Sequence, residues 1–145
     1  MIPCMQAHGR TVLVVESFAA ERERLAAALE DDGFRALLCP GPSGPDFTCI
    51  GSRGGACPLE AEASVVVLDM SVASDEAMLG TPAEELLGLY LEGGHPVVAL
   101  EAQRRPGAPG KLVSMPRHPE TQHLVAAVRR LASNADATRA TATRF

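Results

Sequence analysis

The run Val65-Val66-Val67-Leu68 passes straight into Asp69 with no polar residue between. A strand with one wet face alternates apolar and polar residues. One that is apolar at every position is covered on both sides, the habit of parallel sheets in α/β proteins. Open α/β sheets bind and react at the carboxyl ends of their strands. Asp69 therefore falls where a site is expected, and the rest of the chain has to supply the helices that cover the sheet.

It does so in alternation. Thr11 to Val15 (TVLVV) reads as a first strand, ending at Glu16-Ser17, and Ser17 can cap the helix that follows. From Phe18 to Asp32 the residues Leu25, Ala26, Ala28 and Leu29 keep an apolar helical stripe until Gly33 stops it. Phe34 to Leu38 is a second strand. After the Val65 strand, Thr81-Pro82-Ala83-Glu84 is a strong helix start, and Gly93-Gly94 ends that helix. Val97 to Leu100 is a fourth strand and Lys111 to Ser114 a fifth. Between them EAQRRPGAPG is too short and too rich in Pro and Gly for a full helix. Pro119 opens a last helix through Leu124, Val125, Val128 and Leu131, and His118 can cap it.

Strands alternating with helical crossovers predict an α/β, doubly wound, five-stranded parallel sheet in the order 2-1-3-4-5. Residues 1–10 form a leader, 11–132 the folded domain, and 133–145 a tail without periodicity, expected to be disordered. A chain of 145 residues is one domain's worth, with a core built mainly from Ala, Val and Leu because aromatics are only 3%. No apolar run reaches the ~20 residues of a membrane span. The start of the chain lacks the basic and apolar regions of a signal peptide, so the expected location is cytoplasmic.

Charge is unevenly spread. Residues 1–100 carry 5 Lys+Arg against 15 Asp+Glu, whereas residues 101–145 carry 8 against 3. A nucleic-acid surface would pair such a basic end with stacking aromatics, and these are almost lacking. The basic residues Arg104, Arg105, Arg117, Arg129 and Arg130 instead suggest a dock for an acidic protein partner, against the plainer reading of a solvated face.

With these landmarks in place, the chain resembles the receiver domain of bacterial response regulators over about residues 11–132. The resemblance rests on VLVVES, VVVLDM, PVVALEA and VSMPR, in that order and spacing. It implies a flavodoxin-like fold in which the aspartate ending the third strand accepts a phosphoryl group. Two acids after the first strand would help to hold Mg²⁺, a hydroxyl residue would end the fourth strand, and a lysine would precede the proline after the fifth. A carboxylate attacking phosphorus needs such cations to offset the charge in transfer.

Asp69 matches the acceptor and Glu16 the first acid. Ser17 replaces the second acid, Glu101 stands in the hydroxyl position, and Met115 replaces the lysine before Pro116. The site is thus expected to be degenerate, short of one ligand and its cation and burdened with a repelling carboxylate. Lys111 lies four residues from Met115, about 13 Å along a strand, too far to substitute. Glu16, Asp69 and Glu101 could together take a hard cation such as Mg²⁺; the plainer alternative is three separate acids.

The stretch Cys39 to Pro58 holds five glycines, four prolines and three cysteines in twenty residues, and it takes the place of the second crossover helix. A loop this long inside a compact domain is usually functional or disordered. Cys39, Cys49 and Cys57, with Cys4, could hold zinc or an iron–sulfur cluster, although no paired knuckle spacing supports zinc. The competing readings are small residues in a mobile loop, or a redox pair. No complete catalytic constellation is visible, and GAPGK at 107–111 is no phosphate loop.

The expected function is that of an atypical, stand-alone receiver-like signalling module, not an enzyme, that is not phosphorylated and acts through contacts with another protein or a second copy of itself. The alternatives are a metal or redox sensor using the cysteine loop, and a genuine phosphoreceiver using Asp69.

Overall fold

The computed structural model describes residues 10–39, 62–71 and 82–143. Cys4, Cys49, Cys57, most of the cysteine-bearing stretch and the leader lie outside the described residues, as does Thr81, the expected cap.

Five strands form one sheet: β1 (Thr11–Val15), β2 (Arg35–Cys39), β3 (Val65–Asp69), β4 (Val97–Leu100) and β5 (Leu112–Met115). Their order is β2-β1-β3-β4-β5 and every neighbouring pair is parallel, the topology expected from the alternation. Among the described residues three helices pack on the sheet: α1 (Ala19–Asp31), α2 (Pro82–Glu92) and α3 (Thr121–Thr143). The strand period of two splits the core. Val12, Val14, Val65, Val67, Val98 and Leu100 face α1 and α3, where they meet Leu25, Leu29, Leu124, Val128 and Leu131. Leu13, Val15, Val66, Leu68 and Val97 face the other way, toward Ala83, Leu86, Leu87 and Tyr90 of α2. β1, β3 and β4 are buried at every position, which is what their unbroken apolar runs require.

Several local expectations change. Ser17 does not cap α1: it is exposed, the N-cap position is Phe18, and no side chain caps it. The Glu16 side chain accepts the Phe18 N–H at 3.1 Å. His118 does not cap the last helix either, since α3 begins at Thr121. It sits in the left-handed region at φ 54°, with Nδ1 3.3 Å from Glu21. Arg24 pairs with the same Glu21 (2.8 and 2.6 Å) and donates to the Pro119 carbonyl at 3.0 Å, tying α1 to the start of α3. The expected disordered tail is helical to Thr143. That segment lacks an apolar period, but it carries four alanines after Ser133 and neither Gly nor Pro, so nothing in it stops a helix already nucleated on the sheet.

No helix intervenes between β4 and β5, so the fourth crossover is missing altogether rather than shortened. The link 101–111 folds back on the sheet edge. Ala108 and Leu112 exchange both backbone hydrogen bonds (3.0 and 2.8 Å), with Gly110 at φ 76° completing the turn. The turn is tight at Gly107, where a Cβ would lie 2.7 Å from the Leu112 carbonyl oxygen. Gly107→Ala is expected to force the backbone apart at a cost of about 1–3 kcal/mol, read as a lower thermal midpoint. An unchanged midpoint would show that the turn yields freely.

Candidate functional site

The parallel register brings the carboxyl ends of four strands to one edge. Val15 lies beside Leu68, Asp69 beside Leu100 and Leu100 beside Met115. The residues that follow, Glu16 and Glu101, therefore flank Asp69 on its two sides. All three acids are buried: Glu16 is 3% exposed, Asp69 2% and Glu101 9%. Carboxylates hidden to this extent need partners, and each has a different set.

Asp69 is bound by its own chain. Its Oδ1 accepts the Ser71 N–H (3.0 Å), and the Ser71 hydroxyl donates to the same carboxylate at 2.9 and 3.0 Å. A carboxylate closing on the backbone two residues ahead is an ordinary habit of aspartate. Arg117 Nε stands 3.8 Å from Oδ1, an ion pair beyond hydrogen-bond range. On the other side Asp69 meets Glu16, whose carboxyl is pushed up to about 7, first by burial and then by the hydrogen bond with Asp69. Near neutrality the pair can thus share a proton rather than oppose two full charges.

Glu101 does not repel toward Asp69 as the sequence suggested. Arg105 grips it with two bonds, Nε to Oε2 at 2.8 Å and Nη2 to Oε1 at 2.9 Å, and the Ser114 hydroxyl adds a third at 3.1 Å. The same guanidinium reaches Glu84 of α2 at 2.7 and 3.3 Å. Two carboxylates hold the Arg105 proton more firmly than usual. The network ties the irregular β4–β5 link to α2. It also draws Glu101 away from the other two acids, and no group of three metal-binding side chains occurs among the described residues. Glu16, Asp69 and Glu101 therefore do not converge as the Mg²⁺ alternative needed.

Sequence reasoning placed Glu16, Asp69, Glu101 and Met115 correctly at one edge and missed what satisfies them. It counted the site as short of cations, whereas Arg105 and Arg117 both reach it. Arg117 lies two residues past Met115, a spacing that could have flagged it, but it was grouped with a docking surface. Arg105 could not be found by periodicity, because it sits in an irregular link. The expected dock is itself dispersed. Arg105 and Arg117 face carboxylates, and Arg129 of α3 forms a bidentate pair with Asp32 (Nε–Oδ2 3.2 Å). Arg104 and Arg130 remain exposed. Of the cysteines, only Cys39 is described: half-buried, it ends β2 beside Val15, and its carbonyl accepts the Glu16 N–H at 3.0 Å.

No family model matches the chain, and no curated protein matches it. Solved structures do. The non-phosphorylated HemR receiver domain from Leptospira biflexa is 20% identical, with 86% of this chain and 94% of that one covered and a TM-score of 0.60. A CheY-like response regulator receiver domain protein from Methanospirillum hungatei is 12% identical, covering 89% and 98%, at 0.60. Chemotaxis protein CheY4 of Vibrio cholerae is 14% identical, covering 84% and 98%, at 0.54. The chain has the doubly wound fold of response-regulator receiver domains; at these identities the likeness is one of fold. No helix among the described residues is long and apolar enough to cross a membrane.

Proposed function

We propose that this chain is a receiver-like signalling domain that works by binding another protein, or a second copy of itself, and does not use a phosphoryl group on Asp69. The observation that carries this reading is the engagement of the Asp69 carboxylate, 2% exposed and held by Ser71 on one side and Glu16 on the other. An acceptor must offer an oxygen to phosphorus, and here both oxygens take hydrogen bonds from Ser71. Glu101, tied to Arg105, puts a carboxylate where an incoming phosphoryl group would need a hydroxyl. Without that switch, and with no complete catalytic set among the described residues, output rests on contacts. A cytoplasmic location goes with this reading, as do the response-regulator names of the structural neighbours.

Arg117 is the observation that favours the runner-up, phosphoryl transfer. At 3.8 Å from Asp69 it supplies a positive charge close to where the replaced lysine would have acted. In that reaction an Asp69 oxygen forms a bond to phosphorus and acetate leaves from acetyl phosphate. Native mass spectrometry after incubation with acetyl phosphate and Mg²⁺ separates the two. The expected result is no adduct on the wild type. A phosphoryl adduct lost in Asp69→Ala would overturn the proposal and establish the runner-up.

A further inference from the structure

We propose that a cleft at the outer edge of β5 is a binding site for a small organic anion with a flat apolar body, such as an aryl carboxylate or aryl phosphate. A cavity of about 830 Å³ opens between the β4–β5 link, the outer edge of β5 and α3. That volume is within the range of ordinary ligand clefts, about 300–1,000 Å³. The site lies beyond the reading of Asp69 given above and uses none of its carboxylates.

One wall of the cleft is the link between β4 and β5. A parallel strand pair normally carries a helix across the sheet, and here an eleven-residue link replaces that helix between Leu100 and Leu112. The link cannot cover the strand. It closes on the edge at Leu112, whose N–H and carbonyl are both taken by Ala108, and at Ser114, whose hydroxyl accepts the Arg105 N–H at 3.2 Å. Between these two points Val113 stays half-buried, whereas β1, β3 and β4 are sealed at every position. Val113, together with Pro106, Ala108 and Pro109 of the link, thus offers an apolar floor.

Charge decides what class of molecule this floor suits. Arg104 of the link and Arg130 of α3 line the same cleft, and neither has a carboxylate partner among the described residues. They differ in this from Arg105, which is held by Glu101 and Glu84, and from Arg129, which is held by Asp32. Asn134 stands one helical turn beyond Arg130 on the same face, close to Gly110, and adds a neutral donor and acceptor. Two guanidinium groups and an amide beside an apolar floor recognise an anion attached to an apolar ring. A bare anion would leave the floor wet, and a neutral ring would leave the arginines unused.

The test is amide-shift mapping by NMR with three probes: 1-naphthyl phosphate, inorganic phosphate and 1-naphthol. Naphthyl phosphate is expected to saturate, with shifts confined to residues 104–114 and 130–134, and to bind at least tenfold more tightly than either fragment. The double variant Arg104→Ala/Arg130→Ala should weaken it about tenfold. Asn134→Trp, a change on an exposed helical face that fills the cleft and keeps both arginines, should abolish it. Shifts elsewhere, equal affinity for inorganic phosphate, or indifference to both variants would overturn the proposal. Thermal unfolding of each variant separates lost binding from lost fold.

Discussion

Arg105→Ala is expected to destabilise the protein by about 3 kcal/mol, a fall of roughly 8 °C in the unfolding midpoint. The reason is the carboxylate it would abandon. Glu101 is 9% exposed and takes two of its three hydrogen bonds from this one guanidinium. Removing one partner of a buried pair leaves a charge without compensation, which costs more than the pair itself contributes. The bond from Arg105 to Glu84, half-exposed on α2, adds little, because exposed ion pairs contribute less than about 1 kcal/mol. Replacing both groups by apolar ones, Glu101→Leu/Arg105→Met, should recover most of the loss. Urea unfolding of the wild type, the single variant and the double variant measures this directly. A double variant no more stable than Arg105→Ala would show that Arg105 acts through the shape of the link and not through Glu101.

The second large effect is a dependence on pH set by Glu16. Its carboxyl titrates near 4.5 in an unfolded chain and at about 7 in the folded one, raised by burial and by Asp69. Between those values the folded protein keeps a proton that the unfolded chain has lost. Stability from this group is therefore greatest on the acid side, falls as pH rises from 4.5 through about 7, and then levels off, a total change of about 3 kcal/mol. Glu21 acts in the opposite sense. Arg24 holds its carboxyl below the usual value, so its contribution is present above 4.5 and is lost as the pH falls further. The two groups thus pull stability in opposite directions on either side of about pH 4.5. Glu16→Gln keeps an uncharged group beside Asp69 and should flatten the curve above pH 5. At pH 8 it should be more stable than the wild type by about 2 kcal/mol. Urea unfolding from pH 5 to 8 provides the measurement. Wild-type stability rising across that interval would mean that Glu16 is ionised throughout.

Both effects arise from groups that sequence reasoning located but could not pair. Asp69 was legible because it ends an apolar strand, and the resemblance to receiver domains pointed to Glu16, Glu101 and Met115 at the ends of the neighbouring strands. The strand order was legible because the runs 12–15, 65–68 and 97–100 are apolar throughout and suit the middle of a two-sided sheet. Local capping was less so. Ser17 is a good capping residue by type, yet the helix starts one residue later, with Phe18 at the N-cap and no side chain closing it. The segment after Ser133 lacks a periodic pattern, and only its attachment to a packed helix makes it helical.

What the sequence determined by itself was the architecture and the address of the site, because burial on two faces and the period of a strand are written residue by residue. What tertiary structure alone decided was the charge state of that site. Arg105 and Arg117 come from irregular segments whose path no periodicity describes, and they meet their carboxylates only once the β4–β5 link and the turn after β5 have closed on the sheet. The open cleft at the β5 edge belongs to the same class of fact. A missing helix can be read from eleven residues rich in proline and glycine, but where the link that replaces it lies against β5 depends on how the remaining elements pack.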